Sequence, residues 1–238
     1  ALTAFGIESV TKLELQKLGY ETKVEDGRVN FAGDFEDIVH ANLWLRTANR
    51  VMIKVGDFDA SDFDTLFDKT FKIDWSDFLT IDAKFPVEVS SVKSTLSSEP
   101  ACQSIIKKAI VEKLTTRYHV QKFSEGGALY RIKVYILKDH VTIGIDTTGD
   151  SLNKRGYRTE ISEAPLKETM AAAIIMLSKW NDRFPLWDGF CGAGTIPIEA
   201  MMMAKNIAPG ILRKFAYEAW ENFPKDIVAT EKREAKKA

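Results

Sequence analysis

Little in these 238 residues would serve redox, metal or covalent chemistry. There are two cysteines, Cys102 and Cys191, far apart in the chain. They read as free thiols of a reducing compartment, not as a disulfide framework. The three histidines, His40, His119 and His140, have no ligand-like spacing with cysteine or with one another, so no metal site is expected. No G-x-S-x-G elbow occurs, and no nucleophile–base pair is supported by spacing. No apolar run reaches the roughly 18 residues that a membrane helix needs. The opening ALTAFGIESV has neither a basic segment nor a cleavage pattern, so no signal peptide is expected and the chain reads as cytoplasmic. Charge of one sign is missing too: 33 Lys and Arg against 34 Asp and Glu leave a net −1. Without an overall basic field, any nucleic-acid contact has to come from a local patch. None of the seven prolines is followed by another.

What is present is an ordinary globular composition, 45% hydrophobic and 28% charged, sufficient for one large or two to three small domains. The most informative stretch is FPLWDGFCGAGTIPIEAMMMAKNIAPG, residues 184–210. A short apolar run, Phe184–Trp187, predicts a strand ending at Asp188. The turn Gly189-Phe190-Cys191-Gly192-Ala193-Gly194 follows, and Thr195 opens an apolar helical run from Ile196 to Ala204. Thr195 is expected to cap that helix, with Pro197 in its first turn, where a missing N–H costs nothing. Strand, acid, glycine loop and helix in this order place a ligand at the strand's carboxyl end. Gly192 and Gly194 allow the backbone to approach it. The spacing is neither the dinucleotide fingerprint nor a P-loop. An ordinary strand-to-helix turn explains the glycines equally well. The acid before the loop and the wall offered by Phe190 and Cys191 favour a ligand. S-adenosylmethionine suits such a corner, because a carboxylate answers its ammonium group and glycine amides its polar atoms.

Asp-x-Phe-Cys-Gly-x-Gly-Thr, with SLNKRGYR (151–158) and EAPLKETMAAA (163–173) upstream, resembles the THUMP-domain RNA methyltransferases. The nearest type is the bacterial large-ribosomal-RNA guanine-N2 methyltransferase, often labelled an N6-adenine-specific DNA methylase. The resemblance covers nearly the whole chain, with Gly189 standing where the family carries proline. It implies an α+β and α/β chain: a ferredoxin-like domain (1–56), a THUMP RNA-binding domain (57–150), and a linker with the first part of a Rossmann-like methyltransferase domain (151–238). It implies S-adenosylmethionine as cofactor, with Asp188, Phe190, Cys191, Gly192, Gly194 and Thr195 around it, and Pro165 and Leu166 bordering it. It implies RNA, ribosomal RNA first, as partner. The reaction would be displacement at the methyl carbon by an exocyclic amine, governed by alignment, with the base flipped out if it lies in a helix.

In chain order, Leu2–Phe5 reads as a strand, and Ile7, Val10, Leu13 and Leu18 as a helix ending at Gly19. Tyr20–Glu25 and Arg28–Phe31 flank the hairpin signal Asp26-Gly27. Asp34 caps a second helix carrying Phe35, Ile38, Val39 and Leu43, and Val51, Ile53 and Val55 alternate as a closing strand. This βαββαβ order is the ferredoxin-like plan. Phe63, Leu66, Phe67, Thr70 and Phe71 form a helical stripe among eight aspartates between residues 57 and 82. The aspartates read as a solvated face, without the spacing of a calcium loop. Ala101–Leu114 reads as a helix, and Leu129–Leu137 with Val141–Ile145 as a hairpin.

Lys93, Lys107, Lys108, Lys154, Arg155 and Arg158 are the candidate RNA contacts, since cations beside phosphates release counterions and supply sequence-independent affinity. The competing reading of Lys107 and Lys108 is a solvated helix face. That of Lys154, Arg155 and Arg158 is a strand and linker held by local salt bridges to Glu160 and Glu163. Glu163-Ala164-Pro165 is expected to start a helix, with Pro165 in its first turn. Tyr217, Trp220 and Phe223 are expected to pack locally, with Trp220 also a candidate for the cofactor pocket.

The family's acidic residue for the ribose hydroxyls and its Asn/Asp-Pro-Pro-Tyr/Phe motif for the target amine are not found here, so the chain reads as an inactive N-terminal fragment with its catalytic residues unassigned. The alternatives are a non-catalytic RNA-binding module, a methyltransferase acting on tRNA or on adenine N6 of DNA, and an α/β protein holding another nucleotide on Gly192–Thr195.

Overall fold

The computed structural model describes residues 1–120, 123–158 and 165–237, arranged as two compact units. The first begins as expected. β1 (Leu2–Thr3), α1 (Glu8–Lys17), β2 (Thr22–Glu25), β3 (Arg28–Phe31), α2 (Phe35–Trp44) and β4 (Ala48–Arg50) form a sheet in the order β2-β3-β1-β4. Every neighbouring pair is antiparallel, the ferredoxin-like arrangement. Gly27 closes the β2–β3 turn at φ 70°, a conformation that glycine adopts without steric cost. The Asp34 carboxylate accepts from the amides of Glu36 and Asp37, and Asp37 answers at the Asp34 amide 2.8 Å away, a reciprocal cap that fixes where α2 starts.

One expectation fails here. The alternating run at Val51–Val55 is a strand, but it does not close this sheet. β4 is Ala48–Arg50, three residues with no apolar alternation, and β5 (Met52–Asp59) belongs to the second unit. Alternation reports a half-buried strand without saying which sheet it joins.

The second unit runs from Met52 to Thr147 and takes in Ala219–Phe223. After β5 come α3 (Phe63–Phe71), a 3₁₀ turn at Trp75–Asp77, β6 (Val87–Val92), α4 (Glu99–Tyr118), β7 (Ile132–Leu137) and β8 (His140–Asp146), in the sheet order β5-β8-β7-β6. The β6–β7 pair is parallel and the other pairs antiparallel. β6 escaped the sequence reading because its alternation, Val87-Glu88-Val89-Ser90, is short and is broken by Ser91. α4 is longer than Ala101–Leu114, with Glu99 and Pro100 in its first turn. The hairpin turns on Lys138 and Asp139, both at positive φ. Trp220 returns to this unit: its ring stacks on Tyr130 at 4.7 Å and its indole N–H donates to the Leu129 carbonyl.

Residues 148–218 and 224–237 rejoin the first unit. α5 (Glu168–Leu177) and α6 (Thr195–Ala204) pack on each other, and α7 (Lys225–Ala235) lies on α2, where His40 Nδ1 is 3.0 Å from Glu231. Ala173 of α5 is buried against Ile7 and Val10. Thus α5, on which the helix after the glycine loop packs, shares a core with the ferredoxin-like part. α5 starts three residues later than expected: Lys167 is its N-cap, so Pro165 precedes the helix. Glu160, Glu163 and Ala164 lie outside the described residues.

Candidate functional site

The glycine loop has the openness that a ligand corner requires. Gly192 (φ 51°) and Gly194 (φ 70°) both adopt the left-handed conformation that disfavours a side chain. A Cβ built at Gly192 would meet nothing within 4 Å, so no side chain fills the space beside that peptide. The loop is closed on itself by the Gly194 amide donating to Cys191 O at 2.8 Å, and the Phe190 amide donates to Asp188 Oδ1 at 3.2 Å. No ion pair engages Asp188 among the described residues. Phe190 is fully exposed and Cys191 exposed, so both stand at the loop without covering it.

Two local expectations need correction. Phe184–Trp187 is not a strand: no neighbouring strand lies beside it among the described residues, and Trp187 is 92% exposed. An extended segment becomes a strand only when a neighbour offers backbone partners. Nor does the Thr195 hydroxyl cap α6. Gly194 is the N-cap and makes no side-chain cap bond, while Thr195 Oγ1 accepts from Arg158 Nη2 at 2.8 Å. An arginine charge competes successfully with a backbone amide for a hydroxyl lone pair.

The basic stretch 154–158 is placed differently from an RNA surface. Arg155 and Glu199 form an ion pair whose side chains are 1% and 0% exposed, with Nε and Nη2 each 3.3 Å from a carboxylate oxygen. Arg155 also donates to the carbonyls of Leu152 (2.8 Å) and Arg46. Tyr157 OH reaches the same carboxylate at 3.3 Å, and burial beside Glu199 and Glu168 holds its phenol above the ordinary tyrosine range. Arg158 is partly buried. Its Nε lies 3.1 Å from Glu168 Oε1, close enough for an ion pair but outside hydrogen-bond alignment, and its Nη1 is buried without a bond. Arg155 is therefore unavailable to phosphate and Arg158 is occupied; only Lys154, 3.5 Å from Asp150, is exposed. Reasoning on the sequence missed Glu199 and Glu168. The signal was there in one case: a lone acid inside the apolar run Ile196–Ala204 needs a cation or desolvates unpaired.

Of the lysines in the second unit, Lys107 is taken up by Glu125 (2.5 Å), the Phe85 carbonyl (3.0 Å) and the Phe85 ring, 3.6 Å from its centroid. Lys108 is exposed, 3.7 Å from Glu112, and Lys93 is exposed with φ 50°. Pro165 and Leu166 are exposed and border a cavity of about 670 Å³ with Lys154, Arg158, Lys167 and Arg213. The glycine loop does not line this cavity. Trp220, buried on Tyr130 in the other unit, is removed from the cofactor candidates.

Comparison with known proteins adds the following. Residues 1–52 match the RlmL ferredoxin-like domain, residues 60–146 the THUMP domain, and residues 155–238 the RMKL-like methyltransferase domain. A Bacillus subtilis protein named "Putative RNA methyltransferase YpsC" is 48% identical over 229 residues, 95% of this chain and 60% of its own length. The ribosomal RNA large subunit methyltransferase K/L of Vibrio cholerae is 36% identical over 99% of this chain and 34% of its own. The crystal structure of "SMU.472, a putative methyltransferase complexed with SAH" superposes with a TM-score of 0.95 at 47% identity, covering all of this chain and 63% of that one. The chain thus spans about 60% of the first of these relatives and about a third of the second.

Proposed function

We infer, from a chain whose three domains make it a member of the THUMP-domain RNA methyltransferases, that it holds S-adenosylmethionine on Asp188–Thr195 for transfer to an exocyclic amine of RNA. Guanine N2 of large-subunit ribosomal RNA is the first substrate to test. The observation carrying this reading is the open space at Gly192, in a loop with two left-handed glycines that follows a carboxylate with no ion pair among the described residues.

The residues present suit that cofactor. When bound, it supplies an electrophilic methyl carbon. The chain's own contribution is placement. Asp188 offers a carboxylate to a cationic or hydroxyl group. The loop amides offer donors that no side chain shields. Phe190 and Cys191 offer apolar surface. Thr195, anchored by Arg158, fixes where the loop enters α6. Among the basic candidates, the exposed Lys93, Lys108 and Lys154 are the phosphate contacts we favour, because Lys107, Arg155 and Arg158 already spend their charge inside the protein. The family's Asn/Asp-Pro-Pro motif does not occur in these residues, and we propose that they bind cofactor and RNA without completing the transfer alone.

Incubation of the full-length gene product with labelled S-adenosylmethionine and either ribosomal RNA or DNA tests the reading. Label in ribosomal RNA at guanine is expected. Label entering DNA and not RNA would reject the substrate, and a Gly192→Val protein binding S-adenosylhomocysteine as well as wild type would reject the site.

A further inference from the structure

The stretch Lys154–Arg158 is tied to α5 and α6 by its two arginines. Gly156, at φ 93°, lets the chain turn between Arg155 and Tyr157 where a Cβ would stand 3.1 Å from the Leu212 carbonyl. Arg155 grips Glu199 with two nitrogens and reaches back to the carbonyls of Leu152 and Arg46. Glu199 lies one turn beyond Thr195, so this pairing fixes both the rotation and the depth of α6. Arg158 then spans two helix starts: it donates to Thr195 Oγ1 on the first residue of α6 and faces Glu168 on the first residue of α5. Between those helix starts the chain carries Asp188 and two glycines in left-handed conformations. Such a loop has little stiffness of its own, and its geometry is inherited from its anchors.

We infer that Arg155 and Arg158 are positioning residues for the cofactor loop, Arg158 by holding Thr195 and Glu168 at a set separation, and that neither contacts RNA. The inference rests on the reading of Asp188–Thr195 as the cofactor loop. A guanidinium is required at Arg158 because one planar group donates to Thr195 while its charge faces Glu168, which a lysine ammonium on a flexible stem does not reproduce.

The test is calorimetric titration of S-adenosylhomocysteine into the full-length gene product as wild type, Arg158→Met, Arg158→Lys, Thr195→Val and the Arg158→Met/Thr195→Val double variant, with RNA affinity measured against salt in parallel. Each single variant is expected to weaken the complex about tenfold, the size of a charge-assisted hydrogen bond partly lost. The double variant should be no weaker than the worse single, since both remove the same contact. Arg158→Lys should not restore binding, and the salt slope for RNA should stay at the wild-type value. Unchanged affinity in Arg158→Met with a lowered melting temperature, or additive losses in the double variant, would overturn the inference and leave Arg158 a scaffold residue. A shallower RNA salt slope would overturn it in favour of a phosphate contact. If Arg158→Met does not fold, Arg158→Lys carries the same test: wild-type affinity there overturns the proposal. Wild type failing to bind at all would instead overturn the loop reading itself, a result the variants cannot mimic.

Discussion

Removing the Arg155 side chain while leaving Glu199 in place should be among the most damaging single changes in the first unit. Arg155→Leu keeps comparable apolar volume but strands a carboxylate that is 0% exposed. Among the described residues its remaining hydrogen-bond partner is Tyr157 OH at 3.3 Å, with the Arg46 charge acting on it without a bond. Breaking a buried pair in this way costs about 3–5 kcal/mol. The carbonyls of Leu152 and Arg46 lose their donor at the same time, which adds about 1 kcal/mol or more where water does not replace it. Arg155→Leu/Glu199→Leu removes both charges and should recover at least half of the loss, leaving chiefly the two carbonyls unsatisfied. Urea unfolding at constant slope measures the differences, with amide exchange in α6 assigning the transition to the first unit. A single variant within about 1 kcal/mol of wild type would refute the argument. So would a double variant as unstable as the single, because the penalty would then not come from an uncompensated charge.

The remaining expectations are smaller. His140 sits between Asp59 (2.7 Å) and Asp57 (2.8 Å), whose hydrogen bonds raise its pKa above the ordinary histidine value. The folded protein therefore holds the proton more tightly than the unfolded chain. The stabilisation is complete below the unfolded pKa of about 6.5 and is lost as pH rises through the raised folded value. His140→Gln should flatten the stability-versus-pH curve across that window by less than about 1 kcal/mol, since the site is half exposed; a curve of unchanged slope would disprove the coupling. Asp34→Ala, which removes the side-chain acceptor of the α2 cap and leaves the Asp34 amide bonded to Asp37, should cost about 1 kcal/mol by thermal unfolding, and Asp34→Asn distinctly less. Trp220→Ala should destabilise the second unit by about 3–5 kcal/mol through loss of the Tyr130 stack, while Trp220→Phe keeps most of the apolar contact and gives up the bond to Leu129; equal losses in the two would show that the ring contributes nothing.

Features that the sequence determined by itself are those whose partners lie within one turn or one hairpin. Asp34 with Asp37, Asp26-Gly27 between β2 and β3, and the stripe Phe63–Phe71 are encoded by neighbours three or four residues apart, so their residue types announce them. The glycine loop was readable for a similar reason, since left-handed peptides favour glycine and two of them two positions apart announce a tight turn. Tertiary structure alone decided what depends on distant partners. It sent β5 into the second sheet and left β4 with the short run Ala48–Arg50. It brought Trp220 to Tyr130, and paired its indole with the carbonyl of Leu129, 91 positions away in the chain. It turned Arg155 from a surface cation into the buried partner of Glu199, 44 residues away. A charge looks the same in sequence whether it faces water or a carboxylate in the core. Its environment is created only when the chain closes around it, because desolvation is a property of the packed surroundings and not of the side chain.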